Sequence, residues 1–278
     1  MLKKVNWTQI LVQCKDNVRE RMRPHLRTLT QPQPDLGTGA GGDPKRKIDS
    51  VAEKAIVDTL KERKIMFTLI SEESGTIEYG ERAGQCYVTV DPIDGTTNLM
   101  RGIPFYATSI AVSQEPYIDK VHTGLVTDLL RGTTYTAQKG QGAYRGHCRI
   151  APSKSTSLEE AVIGVDLNSY KIQKLVPRLS ALLGETKHIR HLGANALEMC
   201  YVADGTTDAF IDIRGKLRTT DMAAARLIIE EAGALVTTPE GNPLNVKLDP
   251  TQKVEFIAAA NKEIHKKILD LTKQRKVT

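Results

Sequence analysis

The chain has 278 residues and a net charge of +6, with 40% hydrophobic and 26% charged residues. This length can bury a large core in two lobes or one big domain. The composition is that of a soluble globular protein, and no apolar run approaches the 18 residues of a membrane-spanning helix. No basic helix is interleaved with aromatic residues, which disfavours nucleic-acid binding. The positive charge fits an anionic substrate, but equally a solvated surface.

The four cysteines bear on the cellular compartment. They are Cys14, Cys86, Cys148 and Cys200, which form no CxxC pair and have no histidine at metal-ligand spacing. We expect reduced thiols, as in a cytoplasmic protein. Residues 1–7 lack the apolar core of a signal peptide. Together these features predict a cytoplasmic location.

The chain opens with a predicted helix, followed by an unusual loop. Asn6 resembles the start of a capping box, and apolar residues recur every four positions until Pro24. Residues 31–44 are rich in glycine and proline, which is typical of a linker or of a functional loop. A second helix over residues 51–60 follows, with Asp49 at its start. We hypothesise that loop 31–47 closes over a site beside Asp49.

Two strands then end in acidic residues. The strand over residues 65–70 runs into Glu72 and Glu73. The strand over residues 86–90 is expected to end near Asp91, because the following proline cannot donate to a sheet. The carboxyl ends of strands are where the active sites of layered α/β folds collect. The sequence therefore predicts an acidic site at this edge.

The segment DPIDGTTN, residues 91–98, carries the chemistry. Asp91 and Asp94 can aim two carboxylates at one point, and such a pair repels unless a proton or cation lies between. The carbonyl of Ile93 adds a third hard oxygen, the ligand type that Mg²⁺ prefers. The amides of Gly95 and Thr96 are suited to a phosphate. For an isolated DxxDG, however, a simple turn is the commoner structure.

The rest of the chain alternates strands and helices. A meander of strands is predicted over residues 106–112, 120–126 and 133–137, and the glycine-rich residues 139–144 are interpreted as turns. A second lobe is expected to begin around Pro152, giving lobes of residues 1–151 and 152–278. In it we predict strands over 162–166, 208–213 and 256–260, and helices over 172–183, 191–202, 220–233 and around 264–271.

Three separated motifs resemble the inositol monophosphatase family. They are EES at residues 72–74, DPIDGTTN at 91–98 and TDMAAARLIIEEAGA at 220–234, in the family's order. Residues 193–210 and 42–49 resemble its archaeal branch, which acts on inositol monophosphate and fructose 1,6-bisphosphate. The resemblance implies an α+β fold, the five-layer αβαβα sandwich of the sugar phosphatases. It also implies a homodimer and a Mg²⁺-dependent, lithium-sensitive phosphatase.

The resemblance also implies the metal ligands. Glu72, Asp91 and the Ile93 carbonyl would hold one Mg²⁺, and Asp91, Asp94 and Asp221 a second. It implies a third, weaker ion nearer Glu72 and the loop. We hypothesise, separately from the resemblance, that this ion draws Asp43 toward Glu72 and so closes the loop. The family has tryptophan before Asp221, whereas this chain has Thr220. Asp221 is also at the head of a helix, where an aspartate can serve as a cap and nothing else.

Catalytic and substrate roles follow from the same resemblance. Thr96, paired with Asp49, would orient the attacking water, although an aspartate at a helix start is favourable without catalysis. Glu72 and Asp94 are counted with them as catalytic. The substrate is expected near Gly95 and Thr96, and near a second group made up of Gly193, Ala194, Ala196 and Asp212. Three nearby arginines are candidates for a second phosphate: Arg190, Arg214 and Arg218.

The predicted function is hydrolysis of a phosphate monoester, with inositol 1-phosphate or fructose 1,6-bisphosphate as substrate and two or three Mg²⁺ per site. One alternative is a 3'(2'),5'-bisphosphate nucleotide phosphatase of the same superfamily, which shares the metal ligands. The other is a binding protein that retains the fold. The intact carboxylates at 72, 91, 94 and 221 argue against that last alternative.

Overall fold

The computed structural model describes residues 5–28, 36–169 and 172–273. The helices among these residues are α1 (Trp7–Met22), α2 (Lys47–Glu62), α3 (Thr96–Arg101), α4 (Val176–Glu185), α5 (Asn195–Ala203), α6 (Thr219–Ala232) and α7 (Lys262–Lys273). Short 3₁₀ turns separate several of these elements. The first helix starts at the predicted cap, since the Asn6 side chain accepts a hydrogen bond from the Gln9 amide at 3.2 Å.

The strands form two sheets. They are β1 (Phe67–Ser71), β2 (Gly75–Tyr79), β3 (Tyr87–Asp94), β4 (Ala107–Ser113), β5 (Val121–Asp128), β6 (Thr134–Gln138), β7 (Gly142–Arg145), β8 (Cys148–Arg149), β9 (Val162–Val165), β10 (His188–Arg190), β11 (Ala209–Arg218), β12 (Leu235–Thr237) and β13 (Lys253–Ala259). The first sheet has the order β2-β1-β3-β4-β5-β6-β7-β8, and the second β10-β9-β11-β13-β12. In the first sheet β1 and β3 are parallel, so their carboxyl ends meet at one edge.

Three apolar clusters bind these elements into layers. One cluster joins α1 and α2 to the outer face of the first sheet. The largest joins the other face of that sheet, helices α5 and α6, and the second sheet. The third joins the far face of the second sheet to α4 and α7. The order helix, sheet, helix, sheet, helix confirms the predicted five-layer αβαβα sandwich. The division into lobes at residue 151 stays a prediction.

Two sequence predictions about local structure were wrong. Strand β3 does not end near Asp91 but continues through Pro92 to Asp94. Its register with β4 shifts between Asp91 and Asp94, and this irregularity accommodates a residue that cannot donate to the sheet. The segment 139–144 is not all turn, because Gly142–Arg145 forms β7, paired with β6.

The structure also bears on the membrane and the thiols. In the three described stretches, no helix has the length and apolar character needed to cross a bilayer. All four cysteines are free, as predicted. Burial raises the pKa of Cys14 to about 12, so this thiol stays protonated at neutral pH.

Candidate active site

The site lies where β1 and β3 end and where α6 begins. Glu72 directly follows β1, Asp91 lies in β3, and Asp221 is the third residue of α6. One carboxylate oxygen from each lies within 4.8 Å of the other two. All three side chains are buried. Three buried carboxylates at this spacing repel one another strongly unless protons or cations are bound among them.

Asp91 is the most isolated of the three from hydrogen-bond donors. Its Oδ1 is buried and has no hydrogen-bond partner among the described residues. Burial, followed by the charges of Glu72 and Asp221, raises its pKa well above the usual range. A buried oxygen without a donor is costly in a folded protein, and a hard cation satisfies it. The three carboxylates therefore offer the oxygen ligands that a Mg²⁺ ion prefers.

Glu72 differs because a cation of the protein contacts it. Its carboxylate forms an ion pair with the guanidinium of Arg218. Burial raises the pKa of Glu72 well above its usual value, although the charge of Arg218 acts in the opposite direction. Asp221 accepts hydrogen bonds from the Thr220 hydroxyl at 2.8 Å and the Arg218 amide at 3.1 Å. Its carboxylate thus caps the first turn of α6 while also facing the cluster.

Asp94 lies beside the cluster and faces helix α5. Its two oxygens accept hydrogen bonds from the amides of Asn195 (3.0 Å) and Ala196 (2.7 Å), at the start of that helix. Burial, and next the charge of Asp221, raise its pKa to about 8. The side chain of Asp94 thereby provides hydrogen-bond acceptors for two N–H groups that have no partner within the first turn of the helix. Its predicted role as a metal ligand stays a prediction.

Gly95 fixes how closely the motif approaches the neighbouring segment. Its φ of +87° is in the left-handed region, which glycine adopts without strain. A Cβ there would lie 3.0 Å from the Ala194 Cβ and 3.2 Å from the Gly193 carbonyl oxygen. The structure therefore brings Gly193, Ala194 and Ala196, all predicted on the substrate side, against the DPIDGTTN segment. Their role toward a substrate stays a prediction.

Thr96 and Asp49 meet as the sequence predicted. The Thr96 hydroxyl is 3.2 Å from Asp49 Oδ1 and 2.9 Å from the Ile93 carbonyl oxygen. Asp49 is buried in the first turn of α2. Burial, and then the charge of Glu73, raise its pKa to about 7. This carboxyl group therefore changes its protonation state near neutral pH.

Asp212 and Arg214 form an ion pair with each other. Arg214 Nη2 lies 2.6 Å from Asp212 Oδ2 and 2.6 Å from Asp166 Oδ2. All three side chains are buried. A hydroxyl of a substrate would have to share these acceptors with the guanidinium. Both predicted substrate roles stay predictions, and Asp166 is a partner that the sequence did not indicate.

The loop before α2 is attached to the site by hydrogen bonds and an ion pair. The Gly41 amide donates to the Glu72 carbonyl at 2.7 Å, and the Ala40 amide to the Glu73 carbonyl at 3.2 Å. Asp43, predicted as a ligand of a third metal, lies 2.7 Å from Arg218 Nη1. The part of the loop at residues 29–35 lies outside the described residues. Sequence reasoning placed Arg218 only near a second phosphate, and it missed these contacts with Glu72 and Asp43.

Comparison with known proteins decides the family. The model of the inositol monophosphatase family matches residues 4–276. The chain belongs to this family. It is 35% identical over 272 residues to a fructose-1,6-bisphosphatase/inositol-1-monophosphatase of Methanothermobacter thermautotrophicus, covering 95% of each chain. The enzyme class is thereby confirmed: the protein is a phosphatase, a hydrolase of phosphate monoesters.

Two further relatives extend the comparison. The crystal structure of an inositol monophosphatase–fructose 1,6-bisphosphatase matches with a TM-score of 0.85 and 32% identity, over 96% of this chain and all of that one. A bifunctional NADP phosphatase/NAD kinase of Methanococcus maripaludis is 34% identical over 250 residues, which are 84% of this chain and 43% of that protein. The first supports the fold over the full length, and the second widens the range of phosphates to consider.

Proposed function

We propose that this protein is a Mg²⁺-dependent phosphatase that hydrolyses inositol 1-phosphate, fructose 1,6-bisphosphate or both. The observation that carries the proposal is the cluster of Glu72, Asp91 and Asp221, in which one buried oxygen of Asp91 accepts no hydrogen bond from the residues that the structure describes. The names of the archaeal relative and of the matching crystal structure support this choice of substrates.

The metal ligands would be Glu72, Asp91 and the Ile93 carbonyl for one ion, and Asp91, Asp94 and Asp221 for a second. Asp43 would serve a third. When bound, Mg²⁺ supplies positive charge that stabilises the transferred phosphoryl group and lowers the pKa of water. The protein's own contribution is to hold these carboxylates in place before the ion arrives. Bound lithium would occupy the second position and inhibit, as the family resemblance implies.

Thr96 and Asp49 would handle the proton of the attacking water. The carboxylate of Asp49 accepts the hydroxyl hydrogen of Thr96, which leaves the lone pairs of that oxygen free to accept a hydrogen bond from water. A proton given up by the water can pass through Thr96 to Asp49. Because the pKa of Asp49 is raised to about 7, the group is suited to general base catalysis at neutral pH.

Substrate contacts would come from both halves of the chain. The amides of Gly95 and Thr96 would hold the phosphate, and the segment of Gly193, Ala194 and Ala196 would contact the alcohol. Asp212 would accept hydrogen bonds from sugar hydroxyls, and Arg214 would meet a second phosphate. The close packing of Gly95 on residues 193–194 supports a shared site.

A phosphate-release assay tests the substrate assignment. The substrates are inositol 1-phosphate, fructose 1,6-bisphosphate, NADP and 3'-phosphoadenosine 5'-phosphate, each with Mg²⁺ or with excess EDTA. We expect Mg²⁺-dependent release from the first two. Preference for NADP or the bisphosphate nucleotide would favour the nucleotide phosphatase, the alternative that the NADP phosphatase relative supports. Full activity in EDTA would overturn the metal mechanism, and no release from any substrate would favour a binding protein.

We also propose that the protein is a cytoplasmic homodimer. The free cysteines are consistent with a reducing compartment. The homodimer is suggested by family resemblance alone. Sedimentation velocity of the purified protein distinguishes a dimer from a monomer of 30.7 kDa.

A further inference from the structure

Arg218 is buried at the junction of β11 and α6, where it connects three parts of the chain. Its side chain is 12% exposed. The guanidinium pairs with the Glu72 carboxylate, lies 3.5 Å from Asp221 Oδ1 and 2.7 Å from Asp43 Oδ2, and donates to the Gly41 carbonyl at 3.3 Å. One cation therefore contacts two members of the carboxylate cluster and two residues of the loop.

The contacts of Arg218 with the carboxylate cluster place a positive charge beside three negative groups. Glu72, Asp91 and Asp221 place three carboxylates within 4.8 Å, and Arg218 touches two of them. A guanidinium stays protonated at any pH at which the protein is folded, and its planar fork suits carboxylates. It therefore offsets the repulsion among the three acids when no metal is bound. A Mg²⁺ ion that binds Glu72 must share that carboxylate with the guanidinium or displace it.

The loop backbone at Gly41 lies close to the guanidinium of Arg218. A Cβ on Gly41 would lie 2.6 Å from Arg218 Nη1 and 3.0 Å from its Cδ, so a larger residue at this position would displace the guanidinium. The Gly41 amide also donates to the Glu72 carbonyl at 2.7 Å, which ties the same turn to the end of β1. The side chain of Asp43 is 74% exposed, so its ion pair alone contributes little to closure. The buried carbonyl and carboxylate contacts carry more of the interaction.

We propose that Arg218 is the internal counter-cation of the carboxylate cluster, that it competes with Mg²⁺ at Glu72, and that it holds loop 36–46 closed without metal. It is a positioning residue, since it acts through Glu72 and the loop. This inference deepens the proposed Mg²⁺-dependent function and rests on it.

The test uses the full-length protein stripped of metal, with Arg218→Gln as the main variant. Arg226→Gln is the matched control, because Arg226 is also 12% exposed, lies on α6, the helix that follows Arg218, and is ion-paired at 2.7 Å with Glu230, which is not part of the cluster. Calorimetric titration with MgCl₂, without substrate, gives the Kd for Mg²⁺. We expect Arg218→Gln to lower this Kd at least threefold and Arg226→Gln to leave it within twofold of the parent.

Limited trypsin digestion in EDTA measures, independently of Mg²⁺ binding, how accessible the loop is to protease. Cleavage after Lys45, Arg46 and Lys47, followed by mass spectrometry, should be slow in the parent and in Arg226→Gln and at least fivefold faster in Arg218→Gln. Arg218→Lys keeps the charge but has no fork to bridge Glu72 and the loop. It should keep the Kd for Mg²⁺ within twofold while cleavage accelerates, and it serves if the glutamine variant does not fold.

Each outcome decides the inference. An Arg218→Gln Kd that is unchanged or weaker overturns the competition with Mg²⁺. Loop cleavage that is unaffected in Arg218→Gln, or that slows only when Mg²⁺ is added to the parent, overturns the metal-free closure. If the parent neither binds Mg²⁺ nor releases phosphate, the proposed function fails, while digestion in EDTA still decides the role of Arg218 in the loop.

Discussion

Asp91 and Asp94 lie three positions apart in one motif, yet the protein surrounds them differently. Asp91 has a buried oxygen with no donor among the described residues. The two carboxylate oxygens of Asp94 each accept a hydrogen bond from a backbone amide. The first environment is unfavourable until a cation binds, and the second also stabilises the fold, since both amides belong to the first turn of α5. Substitution by asparagine therefore has different structural consequences at the two positions.

We expect Asp91→Asn and Asp94→Asn both to reduce turnover on the order of 100-fold or more, because each removes charge that stabilises the reaction. Only Asp94→Asn should also reduce stability, by about 1–3 kcal/mol, since an amide nitrogen would then face a backbone N–H. Phosphate release measures the first effect, and thermal unfolding in EDTA at pH 9, above the pKa of about 8 of Asp94, measures the second. Asp270→Asn, at an exposed position on α7, is the control. Equal loss of stability in the two variants would contradict this account.

Sequence reasoning indicated the acids that the structure brings together at Glu72, Asp91 and Asp221, and it missed most of the contacts of Arg218. Glu72, Asp91 and Asp94 belong to short strings that are informative without a structure. Arg218 contacts Asp43 and Glu72, which are far from it in the chain, and nothing in the residues around it predicts which strand end it faces. Surface arginines are also common, so its type alone carries little information.

At the scale of elements, the junction of β3 and α3 sets the geometry of the site. The sequence predicted a turn at Gly95 but placed the end of the strand near Asp91. That prediction followed from Pro92, which does prevent regular pairing, but a register shift against β4 absorbs the irregularity. Such a shift depends on the neighbouring strand, so local sequence cannot predict it. The consequence is that Asp94 still belongs to the strand and is paired there with Ala107 of β4.

Gly95→Ala tests this junction, with Gly102→Ala at the other end of α3 as its matched control. Both glycines have positive φ, +87° and +71°, but a Cβ at Gly95 meets atoms at 3.0–3.2 Å, whereas one at Gly102 meets nothing within 4 Å. We expect a loss of about 2–4 kcal/mol for Gly95→Ala, from backbone strain plus overpacking, and about 1–2 kcal/mol for Gly102→Ala, from strain alone. Urea unfolding measures both. Turnover should fall only in Gly95→Ala, and equal stabilities would contradict the close approach.

For the whole molecule, the layered fold was predictable because three motifs in the right order resemble one family. The five layers followed from this resemblance, whereas the first helix, its cap and most strand positions followed from capping residues and hydrophobic periodicity. What did not follow are contacts between segments far apart in the chain, such as the pairing of Arg214 on β11 with Asp166 after the neighbouring strand β9, and the contact of Asp94 with α5. The first depends on which strands are neighbours in the second sheet, and the second on how the central helices pack on the first sheet.

The burial of so many acids in one fold makes the stability of the metal-free protein depend on pH. The pKa of Asp94 rises from 3.8 to about 8 on folding, and that of Asp49 from 3.8 to about 7. The folded state therefore binds more protons than the unfolded chain between these values. The free energy of unfolding consequently falls as pH rises from about 4 to about 8. Mg²⁺ binds the deprotonated carboxylates, so it must displace protons at low pH and meets less competition at high pH.

We therefore expect Mg²⁺ to raise the melting temperature more at pH 8.5 than at pH 5.5. At 100 times its Kd, a ligand stabilises by about 2.7 kcal/mol, which corresponds to about 5–10 °C for a chain of this size. Differential scanning fluorimetry with MgCl₂ or EDTA at both pH values measures the shift, with NaCl at equal ionic strength as the control. Asp91→Asn should lose most of the shift at pH 8.5. A shift in the parent that is equal or larger at pH 5.5 would show that the buried carboxylates are not where Mg²⁺ binds.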